Sequence, residues 1–223
     1  MSATPGPPPE AVGGRLKRGI DLAVSVPLLV VTAPVLIGIG LWVRRDSPGP
    51  AFFRQTRVGL GGREFRVFKF RTMVDGAQGM GTGLRVTSGD ARITRVGKFL
   101  RATSLDELPQ LINVVNGDMS LVGPRPTVPE QVLRYTDHHR RRLEARPGVT
   151  GLAQVTGRQM LPWSERIELD IRYIDSWSVR RDLAIVARTA LMLLRPGQDV
   201  YRDSAPPFDL PEVPAQPEDP AAS

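Results

Sequence analysis

The chain has 223 residues, 30 Lys plus Arg against 23 Asp plus Glu for a formal charge of +7, no cysteine, and two histidines, the neighbours His138 and His139. The length suits one domain with an appendage, and the missing cysteines exclude a disulfide scaffold, a thiol nucleophile and a cysteine-ligated zinc site. Residues 199–223 hold six acids and one arginine, leaving +12 on residues 1–198 (29 basic, 17 acidic), a surplus that calls for an anionic partner.

Residues 1–14 are a Pro, Ala and Gly mixture that reads as disordered. Residues 15–46 form the first informative segment. Ile20 to Val43 is nearly all apolar and long enough to cross a bilayer. Arg15, Lys17 and Arg18 precede it and Arg44 and Arg45 follow, so both flanks carry the charge that favours the cytoplasmic side. Pro34 divides the stretch into two apolar arms, each about half a bilayer long. The expectation is a re-entrant helix broken at Pro34, ahead of a plain span or a buried core helix, with Thr32 or Ser25 serving the backbone groups that the prolines free.

From residue 47 the pattern shortens. Ala51–Gln55 and Glu64–Met73, in which Phe65, Val67 and Phe70 are interleaved with Arg66, Lys69 and Arg71, predict a β-hairpin closed by Gly59–Gly62. Cations among aromatics also suit an amphipathic strand with a solvated face, and with no RNA-binding signature nucleic acid is excluded. Gly76–Gly89 is Gly-rich enough to act as a lid. Neither G-x-x-x-x-G-K-[ST] nor a strand-borne G-x-G-x-x-G occurs, which argues against an ordinary P-loop or Rossmann enzyme.

The densest chemical signal runs from Thr94 to Gly117. Leu108, Leu111, Ile112 and Val115 have helical spacing, so Asp106 and Glu107 fall in a first helical turn. Ser104-Leu-Asp-Glu107 is on its own a capping box, and acids at a helix start need no function. Arg95, Lys98 and Arg101 just upstream supply cations for phosphate, and carboxylates beside them fit Mg²⁺-dependent phosphoryl transfer. Pro124-Arg125-Pro126 is a stiff turn that fixes a guanidinium, and Arg146 to Arg158 is a Gly-punctuated loop and strand able to bring backbone close to a ligand. Trp163 to Arg195 reads as two helices, the second apolar over too short a run to span and suited to lying in the membrane interface. His138 and His139 diverge on a helix and suit a solvated face. Residues 203–223 form a disordered, Pro-rich acidic tail outside the chemistry.

Five collinear stretches, Lys17-Arg18-x-x-Asp21, Phe68–Met73, Thr103–Leu108, Asn116–Pro126 and Arg146–Arg158, together resemble the bacterial sugar transferases, monotopic phosphoglycosyl transferases that move a sugar 1-phosphate from a UDP-sugar to undecaprenyl phosphate. The resemblance covers about residues 15–202. It implies a helix-rich α/β protein with a re-entrant membrane helix, a small β-hairpin and a catalytic domain over residues 47–202 facing the cytoplasm from the bacterial inner membrane. It further implies Asp106 as the nucleophile that forms a phosphosugar ester and releases UMP, and Glu107 beside it as a Mg²⁺ ligand or proton acceptor. Asp106 and Glu107 would hold the metal. Arg101, Lys98, Arg95, Lys69, Arg71, Arg125, Gln154 and Arg158 would contact phosphate or substrate. Such an enzyme would meet anionic inner-leaflet lipid and downstream glycosyltransferases, and a homodimer is admitted. One departure is Ala33, where relatives often carry Ser before the helix-breaking proline. The rival from another class is a non-catalytic, membrane-anchored basic scaffold in which the dyad is only a cap.

Overall fold

A computed structural model describes residues 11–80, 89–157, 160–194 and 209–210. Chain order begins with helix α1 (Gly14–Asp46), then strands β1 (Phe52–Val58) and β2 (Glu64–Phe70), helix α2 (Arg95–Thr103), helix α3 (Gln110–Asn116) and strand β3 (Ser120–Val122). Helices α4 (Pro129–Val132) and α5 (Asp137–Arg140), strand β4 (Gly148–Thr150), and helices α6 (Leu152–Gly157), α7 (Trp163–Asp175) and α8 (Val179–Leu193) complete it. The proportions are those of the helix-rich α/β class expected.

Helix α1 is long and apolar enough to cross a membrane. Its helical run continues through Pro27 and Pro34. The Thr32 hydroxyl donates to the carbonyl of Leu28 at 2.7 Å, four residues back, and not to that of Val30, which Pro34 deprives of its donor; the Ser25 hydroxyl is buried without a partner among the described residues. The expected rescue of the proline-freed carbonyls by these two hydroxyls is therefore not made, although back-bonding of the Thr32 kind favours a bend. The middle of α1 is exposed, with Val30, Val31 and Ile37 all more than 60 % accessible.

Both ends of α1 dock on the same globular body. At its start, Lys17 Nζ lies 2.6 Å from Asp182 of α8. Arg18 donates to the carbonyls of Val114 and Val115, in the last turn of α3, at 2.5 and 2.8 Å. Asp21 accepts from the Ser120 hydroxyl and the Leu121 amide at 3.0 Å each. The Lys-Arg-x-x-Asp spacing thus places three side chains on the globular body at one helix end. At the other end Ile39 and Val43 pack with Phe70, Val96 and Leu100, and Asp46 accepts from the Val96 amide at 3.0 Å, capping α2.

The hairpin forms as expected, β1 antiparallel to β2 with Phe53 opposite Lys69 and Arg57 opposite Phe65. Cross-strand partners share a face, so Arg57 and Lys69 project from the same side. Buried Asn113 ties α3 to that hairpin: its amide accepts from the Phe68 N–H at 2.9 Å and donates to the Arg66 carbonyl at 2.8 Å, as a neighbouring strand would. The Gly-rich segment after Arg146 is strand β4 followed by helix α6, not loop and strand throughout. Its close backbone approach is to the chain itself: β4 pairs parallel with β3, and a Cβ on Gly148 would meet the Gly123 nitrogen at 2.1 Å. The proposed lid at Gly76–Gly89 lies largely outside the described residues. Of the tail, Asp209 and Leu210 are described. Leu210 is buried with Tyr135, Ile167 and Ile171, and Asp209 accepts from the Ser164 amide at 3.1 Å and from its hydroxyl, capping α7.

Candidate active site

Asp106 and Glu107 do not sit in a capped first turn. Helix α2 ends at Ser104, which takes the left-handed conformation (φ 56°) and is the sole non-glycine with positive φ among the described residues. The chain then makes a separate 3₁₀ turn over Leu105–Glu107, and α3 starts beyond Pro109. Ser104 makes no side-chain cap, so the capping-box reading fails on geometry. A non-glycine held in that region costs about 1–3 kcal/mol and marks sites where position matters more than comfort.

The turn delivers the dyad into a group of cations. Lys69 Nζ lies 2.6 Å from Glu107 Oε1, and Arg125 Nη2 lies 3.0 Å from the same oxygen. Arg57, which the sequence reading passed over, belongs with them: its guanidinium feels both Glu107 and Arg125. Arg101 completes the ring beside Asp106 and donates to the Thr72 hydroxyl at 2.6 Å. Four cations surround two carboxylates, and the surplus is suited to a diphosphate.

Environment separates the two acids. Burial, seconded by the adjacent Glu107 charge, raises Asp106 from its ordinary 3.8 to about 6, against the pull of Lys69, Arg101 and Arg125. For Glu107 burial acts in the same upward sense, but Lys69 and Arg125 outweigh it and hold the group down at about 2. Glu107 is therefore a fixed anion that orders cations and is poorly suited to take up a proton. Asp106 is a desolvated carboxylate that receives no hydrogen bond among the described residues. Burial lowers Lys69 despite Glu107, and burial together with Arg125 lowers Arg57 to about 10; an incoming anion relieves both.

The remaining expected residues divide. Arg71 lines the cleft but is buried, and its two terminal nitrogens donate to the carbonyls of Ser47 and Pro48, at 2.7 Å for Ser47, tying its guanidinium to the end of α1. Arg95 and Lys98 are exposed on α2 and outside the cleft lining; at i,i+3 spacing they follow the Arg101 side of the helix, but each lies a further turn back from the end of α2 that meets the dyad. Gln154 lines the cleft from α6 with its amide oxygen and nitrogen buried and unpartnered among the described residues. Arg158 lies outside the described residues. Pro34 sits in the exposed middle of α1, away from the dyad.

The dyad opens onto a cleft of about 2090 Å³. One wall is the cation group. Another is apolar, built from Val24 and Leu28 of α1 and Leu183, Val186, Ala190 and Leu193 of α8. Among the described residues no three acidic or imidazole side chains converge to cage a metal.

Comparison with known proteins places this geometry in context. The family described as bacterial sugar transferase matches residues 12–196. A UDP-glucose:undecaprenyl-phosphate glucose-1-phosphate transferase of Caulobacter vibrioides is 46 % identical over 205 residues, 85 % of this chain and 73 % of that protein. An uncharacterized sugar transferase of Bacillus subtilis is 42 % identical over 80 % of this chain and 87 % of its own length. An undecaprenyl-phosphate galactose phosphotransferase of Salmonella typhimurium is also 42 % identical, over 81 % of this chain, which spans only 40 % of that longer protein.

Proposed function

The chain belongs to the bacterial sugar transferase family, and from that premise we propose that it transfers a sugar 1-phosphate from a UDP-sugar to undecaprenyl phosphate through a phosphosugar ester on Asp106. The observation that carries the reading is the cation surplus around a desolvated carboxylate at the end of a cleft with an apolar wall.

In the first step a carboxylate oxygen of Asp106 attacks the sugar-bearing phosphorus. The O–P bond to Asp106 forms as the bridging P–O bond of the diphosphate breaks, and UMP leaves with the bond's electron pair. In the second step an oxygen of undecaprenyl phosphate attacks the same phosphorus, the Asp106 carboxylate is released, and a polyprenyl diphosphate sugar results. Burial matters to the first step because a carboxylate stripped of water is the stronger nucleophile. The dianionic diphosphate would repel it but for Arg57, Lys69, Arg101 and Arg125, whose charge lies where charge develops in transfer. Glu107 anchors Lys69 and Arg125 in that array.

Asp106 and Glu107 are the residues that would hold Mg²⁺. The absence of a three-ligand cage is no obstacle, since Mg²⁺ at phosphoryl-transfer sites is held by one or two carboxylates together with substrate phosphates. Such an ion supplies further neutralisation of the diphosphate. The apolar wall between α1 and α8 suits a prenyl chain whose phosphate reaches the cations.

Both ends of α1 contact one body while its middle is exposed and apolar. A straight span would carry its ends to opposite sides of the membrane, so this docking supports a re-entrant helix, and the basic flanks Arg15, Lys17, Arg18, Arg44 and Arg45 favour the cytoplasmic face of the inner membrane for the catalytic domain. A UDP-sugar panel incubated with undecaprenyl phosphate and read for UMP tests the function. Release with at least one sugar is expected. No release with any, from folded protein in lipid, returns the chain to the scaffold reading.

A further inference from the structure

The Pro124-Arg125-Pro126 turn is gripped from two sides through its carbonyls. Arg57 of β1 donates from Nη1 to the Pro126 carbonyl at 3.3 Å. Arg142, in the 3₁₀ turn Arg141–Glu144, donates from Nη2 to the Arg125 carbonyl at 2.7 Å. The rest of the Arg142 guanidinium is also engaged: Nε meets Asp170 Oδ2 at 2.7 Å and Nη1 meets the Tyr135 hydroxyl at 2.6 Å. The Arg142 and Asp170 side chains are 3 % and 2 % exposed. Each of its three nitrogens is thus engaged within the protein, and the group ends on the backbone of a residue whose own guanidinium reaches Glu107.

A buried ion pair is weak evidence of added stability, since removing two charges from water costs about as much as their attraction returns. Its distinctive property is geometry. The Arg125 side chain is 47 % exposed, so packing alone does not fix where its charge sits. Holding the Arg125 carbonyl and the Pro126 carbonyl that follows it, while the Pro124 carbonyl before it accepts from the Gly148 amide at 2.8 Å, restricts the backbone from which it extends.

We infer that the Arg142–Asp170 pair is a positioning device for Arg125, acting with Tyr135 and Arg57 to hold the Pro-Arg-Pro turn so that the Arg125 guanidinium faces Glu107 and the incoming diphosphate. The inference rests on the functional reading above, and assigns a role to Asp170, which no local sequence pattern explained. Small misplacement of a charge-bearing group can cost up to roughly a hundredfold in rate.

The test is a double-mutant cycle on UMP release, with kcat and KM for the UDP-sugar measured in lipid nanodiscs for wild type, Asp170→Asn, Arg125→Ala and the double variant. Thermal unfolding of each is followed in parallel. Asp170→Asn is expected to lower kcat/KM about tenfold or more, Asp170→Glu to recover part of it, and the double variant to be no slower than Arg125→Ala. If Asp170→Asn does not fold, Tyr135→Phe, which deletes one hydroxyl, enters the same cycle with an expected loss of about two- to fivefold that Arg125→Ala likewise absorbs. Losses that add to that of Arg125→Ala, or no loss in a folded variant, overturn the inference while leaving the enzyme reading intact. Wild type that releases no UMP defeats that reading, and this inference with it.

Discussion

Replacing Asp106 by asparagine should make the protein more stable while ending its chemistry. Burial raises this acid from 3.8 to about 6, and each tenfold displacement of a protonation equilibrium is worth about 1.4 kcal/mol. The ionised side chain therefore costs the fold at most about 3 kcal/mol, and partial contact with solvent at the cleft trims this to about 1–3 kcal/mol. For an acid whose folded value lies above its unfolded one, the cost is fully present above about 6 and vanishes below about 3.8. Thermal unfolding in nanodiscs, followed by tryptophan fluorescence at a fixed scan rate with chelator present, should show Asp106→Asn melting about 2–12 °C above wild type at pH 8. The gap should close towards pH 4.5. A variant that melts lower at pH 8, or a gap that ignores pH, would refute the claim that Asp106 is held as a desolvated anion.

The same displacement is open to direct titration. In metal-free protein without substrate the Asp106 carboxyl should titrate near pH 6, read from its carboxyl carbon shift by NMR; a midpoint near 3.8 would mean an unperturbed carboxylate. Single cysteines at positions 14 and 47, in a chain with no native cysteine, should both resist a membrane-impermeant thiol reagent in intact cells and label after lysis, whereas labelling of position 14 from outside would show a span. Leu210→Ala should lower stability by about 2 kcal/mol, because Leu210 is buried against Tyr135, Ile167 and Ile171. An unchanged melting temperature would mean that this part of the tail adds nothing to the fold.

What could be read from the sequence was what local pattern encodes. Alternation in Glu64–Phe70 gave the hairpin, an apolar run with two basic flanks marked α1 as a membrane element, and Ser-Leu-Asp-Glu beside Arg101 marked the dyad. What escaped depends on partners distant in the chain. Arg71 looked like a phosphate ligand until the Ser47 and Pro48 carbonyls claimed it. Arg57 went unread because the expected first strand stopped at Gln55, and the hairpin register is what puts it on the Lys69 face. No local pattern gave Asp170 a role, because its partner Arg142 lies 28 residues away. The capping box failed because Pro109 starts a new helix, so Ser104 bends to the left-handed region instead of capping.

The most direct test of the account is the mass of the protein after reaction with a UDP-sugar and Mg²⁺ in the absence of undecaprenyl phosphate. A gain equal to one sugar phosphate, mapped by peptide fragmentation to Asp106, absent in Asp106→Asn and discharged when undecaprenyl phosphate is added, is the predicted result. An adduct on any other residue, or UMP release at wild-type rate from Asp106→Asn, would contradict it.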